Sequence, residues 1–330
     1  MPRFPLFLGT EPETLPTIEP IVTEYSDVTI PISLLVIFVV MAVVLLAAVV
    51  VAFIFIKNRG TNFGQSIMFA LLFYLGINYF VFNLSLYGLQ MLPGVADFAK
   101  AHNRTMQLFM LFWEMLLSMV SMYLGLRYAV RQSRKRAYYI DICTALIYGL
   151  VFYTAALFVS RHLVFSIEYT IYGGYINSVG FDAAVTSMVQ NGAKQDEAIA
   201  TILDFARQKP IDHVFYSLNF ILTGIQQTAA ANVLYGLFTD QLEKRWLLGA
   251  AAIYVGAYLG AAIQIIFKAP VFVNTLVSLA ANAAAVYVVW RLLNGPMSKE
   301  MYTLTHKKVK EEKQKPDEPE KMPTIVMPKD

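Results

Sequence analysis

Leu34–Ile56 reads LLVIFVVMAVVLLAAVVVAFIFI, 23 residues without a charge, and Lys57 and Arg59 stop it. A bilayer core needs about 20 apolar residues in helix to be crossed, so this run predicts a transmembrane helix. Its valines and isoleucines do not argue for strand, because in lipid a segment must satisfy its own backbone hydrogen bonds. Working outward, further apolar runs extend over Gln65–Leu92, Thr105–Val130, Tyr139–Ser160, Ile211–Phe238, Trp246–Phe267 and Val271–Leu293. The expected fold is all-α: a polytopic transmembrane helical bundle of about seven spans, a multi-pass protein of the cell membrane.

Composition agrees. The 330 residues are 57% hydrophobic and 15% charged, with a mean hydropathy of +0.53, whereas a soluble chain carries about a quarter charged residues. That deficit excludes an ordinary cytosolic enzyme, a secreted disulfide scaffold and a nucleic-acid-binding protein. The net charge of +3 lies in loops and a tail and says little about partners. Cys143 is the single cysteine, so no internal disulfide and no thiolate-built zinc site is expected.

Basic residues set the orientation. Lys57 and Arg59 follow the first span, Arg127, Arg131, Arg134, Lys135 and Arg136 follow the third, Lys244 and Arg245 the fifth, and Arg291 closes the seventh. All fall on one face if the N-terminus is outside and the C-terminus inside, which also sets Trp246 and Trp290 at one interface as aromatic anchors. Residues 1–30 carry Glu11, Glu13, Glu19, Glu24 and Asp27 in place of a basic n-region, and read as an extracytoplasmic tail rather than a signal peptide.

The bundle is expected over 31–293, with an external amphipathic helical insertion at 163–210. There Asp182 is expected to cap a helix ending at Asn191-Gly192. A second helix, Gln195–Arg207, places Ile199, Ile202, Leu203 and Ala206 on one face. The pair reads as a packing element or as a mobile lid. Residues 294–330, rich in lysine, glutamate and proline, read as a disordered charged cytoplasmic tail. It is a candidate docking strip for a cytoplasmic partner or lipid. No internal repeat is visible.

Ionisable groups at membrane depth are costly and informative. Glu114 is the clear case, and Gln107, Ser118, Ser121 and Gly125 share its helix face. Glu114 either binds a cation, proton or polar ligand, or is hydrogen-bonded across a helix interface. Asn219, Gln226, Gln227 and Asn232 of the fifth span are expected partners for this stripe, as interhelical glue. Ala252, Gly256 and Gly260, spaced four apart, form a small-residue packing ridge continued by Gln264. Ser278 and Asn282 read likewise. His162 and His213, beside Asp212, flank the outer loop without the spacing of a metal site, and His102 and His306 are isolated. Asn103-Arg104-Thr105 matches a glycosylation sequon. No phosphate loop, nucleophile elbow or His-Glu-x-x-His occurs. With His213 assigned to the loop's end, the spans are read as holding no histidine. No metal or cofactor is indicated.

Met122-Tyr123-Leu124-Gly125-Leu126-Arg127-Tyr128 ends the third span. After a basic turn, Tyr139, Asp141, Ala145 and Tyr148-Gly149-Leu150 open the fourth. Over about residues 60–270 this order resembles the YhfC-type intramembrane metalloprotease family, distantly related to CAAX-processing and PrsW-type membrane proteases. The resemblance implies paired glutamates and an arginine in the third span, where this chain has Ser118, Met119 and Met122. It also implies a Gly-His-Gly-Gly and a glutamate in the fourth, where Val151, Phe152, Tyr153 and Thr154 are followed by Ala156. The implied member is degenerate, without catalytic residues. Three functions stay open: a non-catalytic membrane scaffold, pseudoprotease-like, binding a membrane protein or lipid; a small-solute transporter or channel using Glu114 and the fifth-span amides; and a divergent active protease around Glu114.

Overall fold

The structure, a computed structural model, describes residues 27–59, 63–136, 140–159 and 162–305. Among these residues there is no strand. The helices are α1 (Ile32–Lys57), α2 (Phe63–Gln90), α3 (Val95–Ala101), α4 (Asn103–Arg136), α5 (Cys143–Val159), α6 (His162–Val179), α7 (Phe181–Gln190), α8 (Gln195–Ala206), α9 (Pro210–Phe238), α10 (Trp246–Phe267), α11 (Val271–Leu293) and α12 (Ser298–Thr305). The chain is an all-α polytopic bundle. Most of the acidic N-terminal segment, Tyr139, His306 and the rest of the charged tail lie outside the described residues, as does the His162 side chain.

Among the described residues six helices are long and apolar enough to cross a membrane: α1, α2, α4, the α5–α6 unit Cys143–Val179, α10 and α11. The fifth expected span, α9, is absent from that set. It nevertheless runs the height of the bundle. His213 near its start packs on Phe38, early in α1, with ring centroids 4.2 Å apart, and Tyr235 near its end reaches Glu300 of α12 at 3.1 Å. At 29 residues it measures roughly 43 Å by helix rise. It packs against α1, α4, α5, α10 and α11, and its buried run includes Gly224, Gln226, Gln227, Ala229, Ala230, Ala231 and Asn232. Small residues admit close neighbours and amides face protein rather than lipid, so the central helix falls short of the apolar run of a span.

Three expectations change. Within His162–Pro210, read as an external insertion, α6 lies along α1, with Leu163 in the cluster of Ala42 and Leu45. Asn177 Nδ2 donates to Ile30 O at 2.9 Å, and Ile30 N–H donates to Asn177 Oδ1 at 2.8 Å. His213, expected at the loop's end, packs instead on Phe38 of the span-capable helix α1. Asp182 makes no cap, because α7 starts at Phe181 after Gly180, whose φ of 88° bends the chain. The α7–α8 hairpin ends its first helix as expected, with Gly192 at φ 91° and Ala193 N–H donating to Met188 O at 3.1 Å. Its Phe181, Val185, Met188, Ala198, Ile202 and Phe205 are buried with Ile30, Leu34 and Phe38. That is packing against the bundle.

The basic ends gather at one end of the molecule. Arg134 Nη2 donates to Phe238 O at 2.7 Å and pairs with Asp240 at 2.8 Å. Arg59 Nε donates to Leu304 O at 2.8 Å. The segment read as a disordered tail therefore begins with an ordered helix. In α12, Glu300 is 9% exposed and accepts from Ile142 N–H at 3.1 Å, Tyr235 Oη at 3.1 Å and Gln241 Nε2 at 2.9 Å. Asp141 Oδ1 accepts from Cys143 N–H at 2.9 Å. Two carboxylates thus satisfy the orphan donors where α5 begins, at the positive end of its dipole.

Candidate functional site: the Glu114 face of α4

Glu114 sits mid-helix in α4, and its surface is exposed. Its carboxylate is within electrostatic reach of the phenols of Tyr74 on α2 and Tyr254 and Tyr258 on α10. One turn along, Ser118 is buried and its hydroxyl lies 2.6 Å from Tyr254 Oη. Gln227 Nε2 of α9 donates to Tyr258 Oη at 3.5 Å, the long limit of a hydrogen bond. Polar groups therefore pass from an accessible face toward the buried central helix. Glu114 itself has no hydrogen bond or ion pair among the described residues.

The rest of the stripe is structural. Ser121 Oγ donates to Phe73 O at 2.8 Å, where α2 widens into a π-helical stretch, Tyr74–Val81. Such a bulge disturbs the regular ladder, and a side chain from a neighbour meets the displaced carbonyl. Gly125 lets α5 close in: Tyr148 Oη donates to Gly125 O at 2.8 Å, and a Cβ there would lie 2.8 Å from the Tyr148 ring. Gln107 is spent within its own helix, its Nε2 donating to Asn103 Oδ1 at 3.2 Å.

The amides expected to meet this stripe divide. Gln227 approaches it through Tyr258. Asn219 and Gln226 are left with both amide atoms buried and without partners. Gln226 instead faces Gly256, where a Cβ would stand 3.1 Å from its Nε2. Gly260 is pressed against Asn274 and Ser278 of α11, while Ala252 is exposed, so the small-residue ridge is a packing surface over two of its three members. Tyr74, Tyr254 and Tyr258 were missed as site residues. Tyrosine passes as apolar in a span, although the i, i+4 spacing of Tyr254 and Tyr258 was visible.

Met119, Met122, Phe152 and Ala156, four of the positions matched to protease chemistry, are interior packing. Met122 and Phe152 are fully buried in the main core with Tyr74, Tyr148 and Tyr235, and Met119 and Ala156 pack against it partly buried. Phe152 meets the Tyr74 ring edge-on at 5.1 Å. Among the described residues no three His, Cys, Asp or Glu side chains cluster closely enough to hold a metal ion. His213 has Phe38 on one side and Ser166 Oγ at 3.4 Å from its Nε2. No protein-family model matches the chain, and neither the curated proteins nor the solved structures contain a significant match.

Proposed function

We propose that the protein is a non-catalytic membrane scaffold that holds a transmembrane segment of another membrane protein against the Glu114 face. The observation that carries this reading is an exposed, unpartnered carboxyl in the middle of a membrane-crossing helix. A charge at the centre of a lone span costs about 2.5–3.5 kcal/mol. A neighbouring helix bearing a lysine, arginine or amide offsets that cost by pairing with it, and the tyrosines beside it supply apolar contact with polar tips. The packing of Met122 and Phe152 in the core supports the non-catalytic half of the proposal. It fits a YhfC-type scaffold whose chemical positions have become interior ones.

The test is a photo-crosslinking residue placed at Phe112, which is 55% exposed beside Glu114, in native membranes. The expected adduct is one membrane protein whose crosslinked span carries a basic or amide side chain. Replacing that side chain, or Glu114→Leu, abolishes capture. Adducts to lipid alone refute the scaffold. A second reading, a carrier of protons or small cations, is favoured by the polar succession Glu114, Ser118, Tyr254, Tyr258 and Gln227. It requires that Glu114→Gln change flux in proteoliposomes, which a scaffold does not.

A further inference from the structure

Separate from the Glu114 face, α1, α5, α9 and α11 enclose a cleft of about 440 Å³, within the ~300–1,000 Å³ range of small-molecule sites. Phe55 and Trp290 line it and remain 40% and 52% exposed, so it opens sideways between bilayer-facing helices. Both residues lie in the last turns of α1 and α11, which places the opening in the leaflet at the basic end. No charged side chain lines it among the described residues.

Its floor is built by two close approaches of α5 and α9. Gly149 receives Thr228, and Gly224 receives the Tyr153 ring, where a Cβ would lie 2.5 Å from Cδ2. This floor carries orphaned polar atoms. Thr228 Oγ1 is used up on Gly224 O at 2.8 Å. Asn232, 5% exposed, donates through Nδ2 to Thr228 O at 2.8 Å, leaving Oδ1 buried without a partner. The Tyr153 hydroxyl, on a residue 7% exposed, is also unpartnered. The Cβ end of the Tyr153 side chain meets Gly224, eight residues from Asn232, or roughly 12 Å along the helix. An orphaned buried acceptor in a dry site costs about 1–3 kcal/mol and asks for an explanation.

We propose that this cleft is a binding site for a neutral, hydroxyl-headed lipid of the diacylglycerol class. Its hydroxyl donates to Asn232 Oδ1, an acceptor closed to solvent that a small turn of the amide brings to the cleft wall, one and a half turns from the end of α9. One acyl chain runs up the apolar wall past Tyr153 toward the bilayer centre. Arg59 stacks over Phe55 at the mouth, 3.9 Å from the ring centroid, with its Nη1 and Nε donating to Phe55 O and Leu304 O. The walls deeper in, at Asn232, carry no charge among the described residues, which selects against a phosphate head held there.

The test uses the full chain in phosphatidylcholine nanodiscs containing a few mole per cent of a diacylglycerol with a diazirine in one chain. After illumination the adducts are mapped by peptide mass spectrometry. Adducts are expected on the lining stretches of α1, α9 and α11. Unlabelled diacylglycerol should compete and its O-methyl ether should not, because the ether has lost the donor. Asn232→Leu should lower labelling roughly tenfold, the loss of one hydrogen bond. Ala52→Phe, a change at the cleft wall, should block it by filling the space. The proposal is overturned if adducts spread evenly over the lipid-facing helices, if a diazirine phosphatidylcholine labels the same stretches equally, or if the ether competes. Should Asn232→Leu not fold, unchanged labelling of a folded Ala52→Phe protein overturns it alone. The readout is lipid attachment, so it does not depend on any partner at Glu114.

Discussion

Glu300→Ala tests whether α12 is a structural staple of the bundle. The wild-type carboxylate collects three donors, and two belong to residues with almost no surface: Ile142 at 0% and Tyr235 at 1% exposure. A hydrogen bond to a charged group is worth about 1.5–3 kcal/mol, and each buried donor left unpaired costs about 1–3 kcal/mol. Water entering the cut space recovers part of this, so the net effect is on the order of 3 kcal/mol. It should fall on the local opening of α12 from the start of α5 rather than on the whole bundle. Cys143 reports that opening, because it is the single cysteine, is fully buried, and sits next to Ile142. When opening limits access, thiol labelling follows the open population. About 3 kcal/mol then predicts labelling of Cys143 in Glu300→Ala faster by roughly two orders of magnitude. Glu300→Gln keeps an acceptor oxygen but turns an amide NH₂ against a donor, so it should fall between. Equal labelling rates in wild type and Glu300→Ala, with both proteins folded by gel filtration, would falsify the staple.

Two further outcomes bear on the packing. Ser118→Ala strips the buried Tyr254 phenol of its 2.6 Å partner, and interhelical bonds of this kind measure about 0.6 kcal/mol and at most about 1.7. The double variant Ser118→Ala/Tyr254→Phe should recover part of the lost thermal stability in a double-mutant cycle, and strict additivity would show that the contact carries no coupling. Asp240→Asn removes an ion pair whose side chains are 58% and 81% exposed, while Asp240 itself holds a φ of 59° that asparagine also accepts. The unfolding midpoint in detergent should match wild type within about 0.5 kcal/mol, and a larger loss would mean that the basic end is held by this pair.

What the sequence made legible follows from what the bilayer demands. A lipid-facing helix must advertise itself by an uninterrupted apolar run, and α1, α10 and α11 were read nearly to the residue. A helix surrounded by protein is free of that demand. For this reason α9 falls short of span hydropathy while occupying the centre. In α6 the apolar run is interrupted by Glu168 and Asn177, so its sequence reads as a loop although it packs along α1. Glu300 was hidden differently: surrounded in sequence by lysines and acids, it looked solvated. Its role depends on Ile142, Tyr235 and Gln241 converging from 59 to 158 residues away. Glu114 was visible because a single carboxylate in a span has no cheap explanation. Its tyrosine neighbours were not, since a phenol in an apolar run shows its hydroxyl's partner only when the helices are assembled.

The polar cost in this bundle is unevenly placed. Among the described residues four amide side chains hold buried atoms without partners: Asn219 and Gln226 with both, Asn232 and Asn282 with the oxygen; three of the four belong to α9. Replacing them by leucine would remove orphaned groups and match the lipid solvent better, so folding alone gives no reason for them. Local choices that oppose stability concentrate where a protein meets something else. In α9 the amides serve different surroundings: Gln227 reaches Tyr258 and the Glu114 face, while Asn232 lies at the wall of the apolar cleft. The central helix is then the common wall of the two proposed sites. Its low hydropathy, a weakness as a membrane span, is what lets one helix present hydrogen-bonding groups to both.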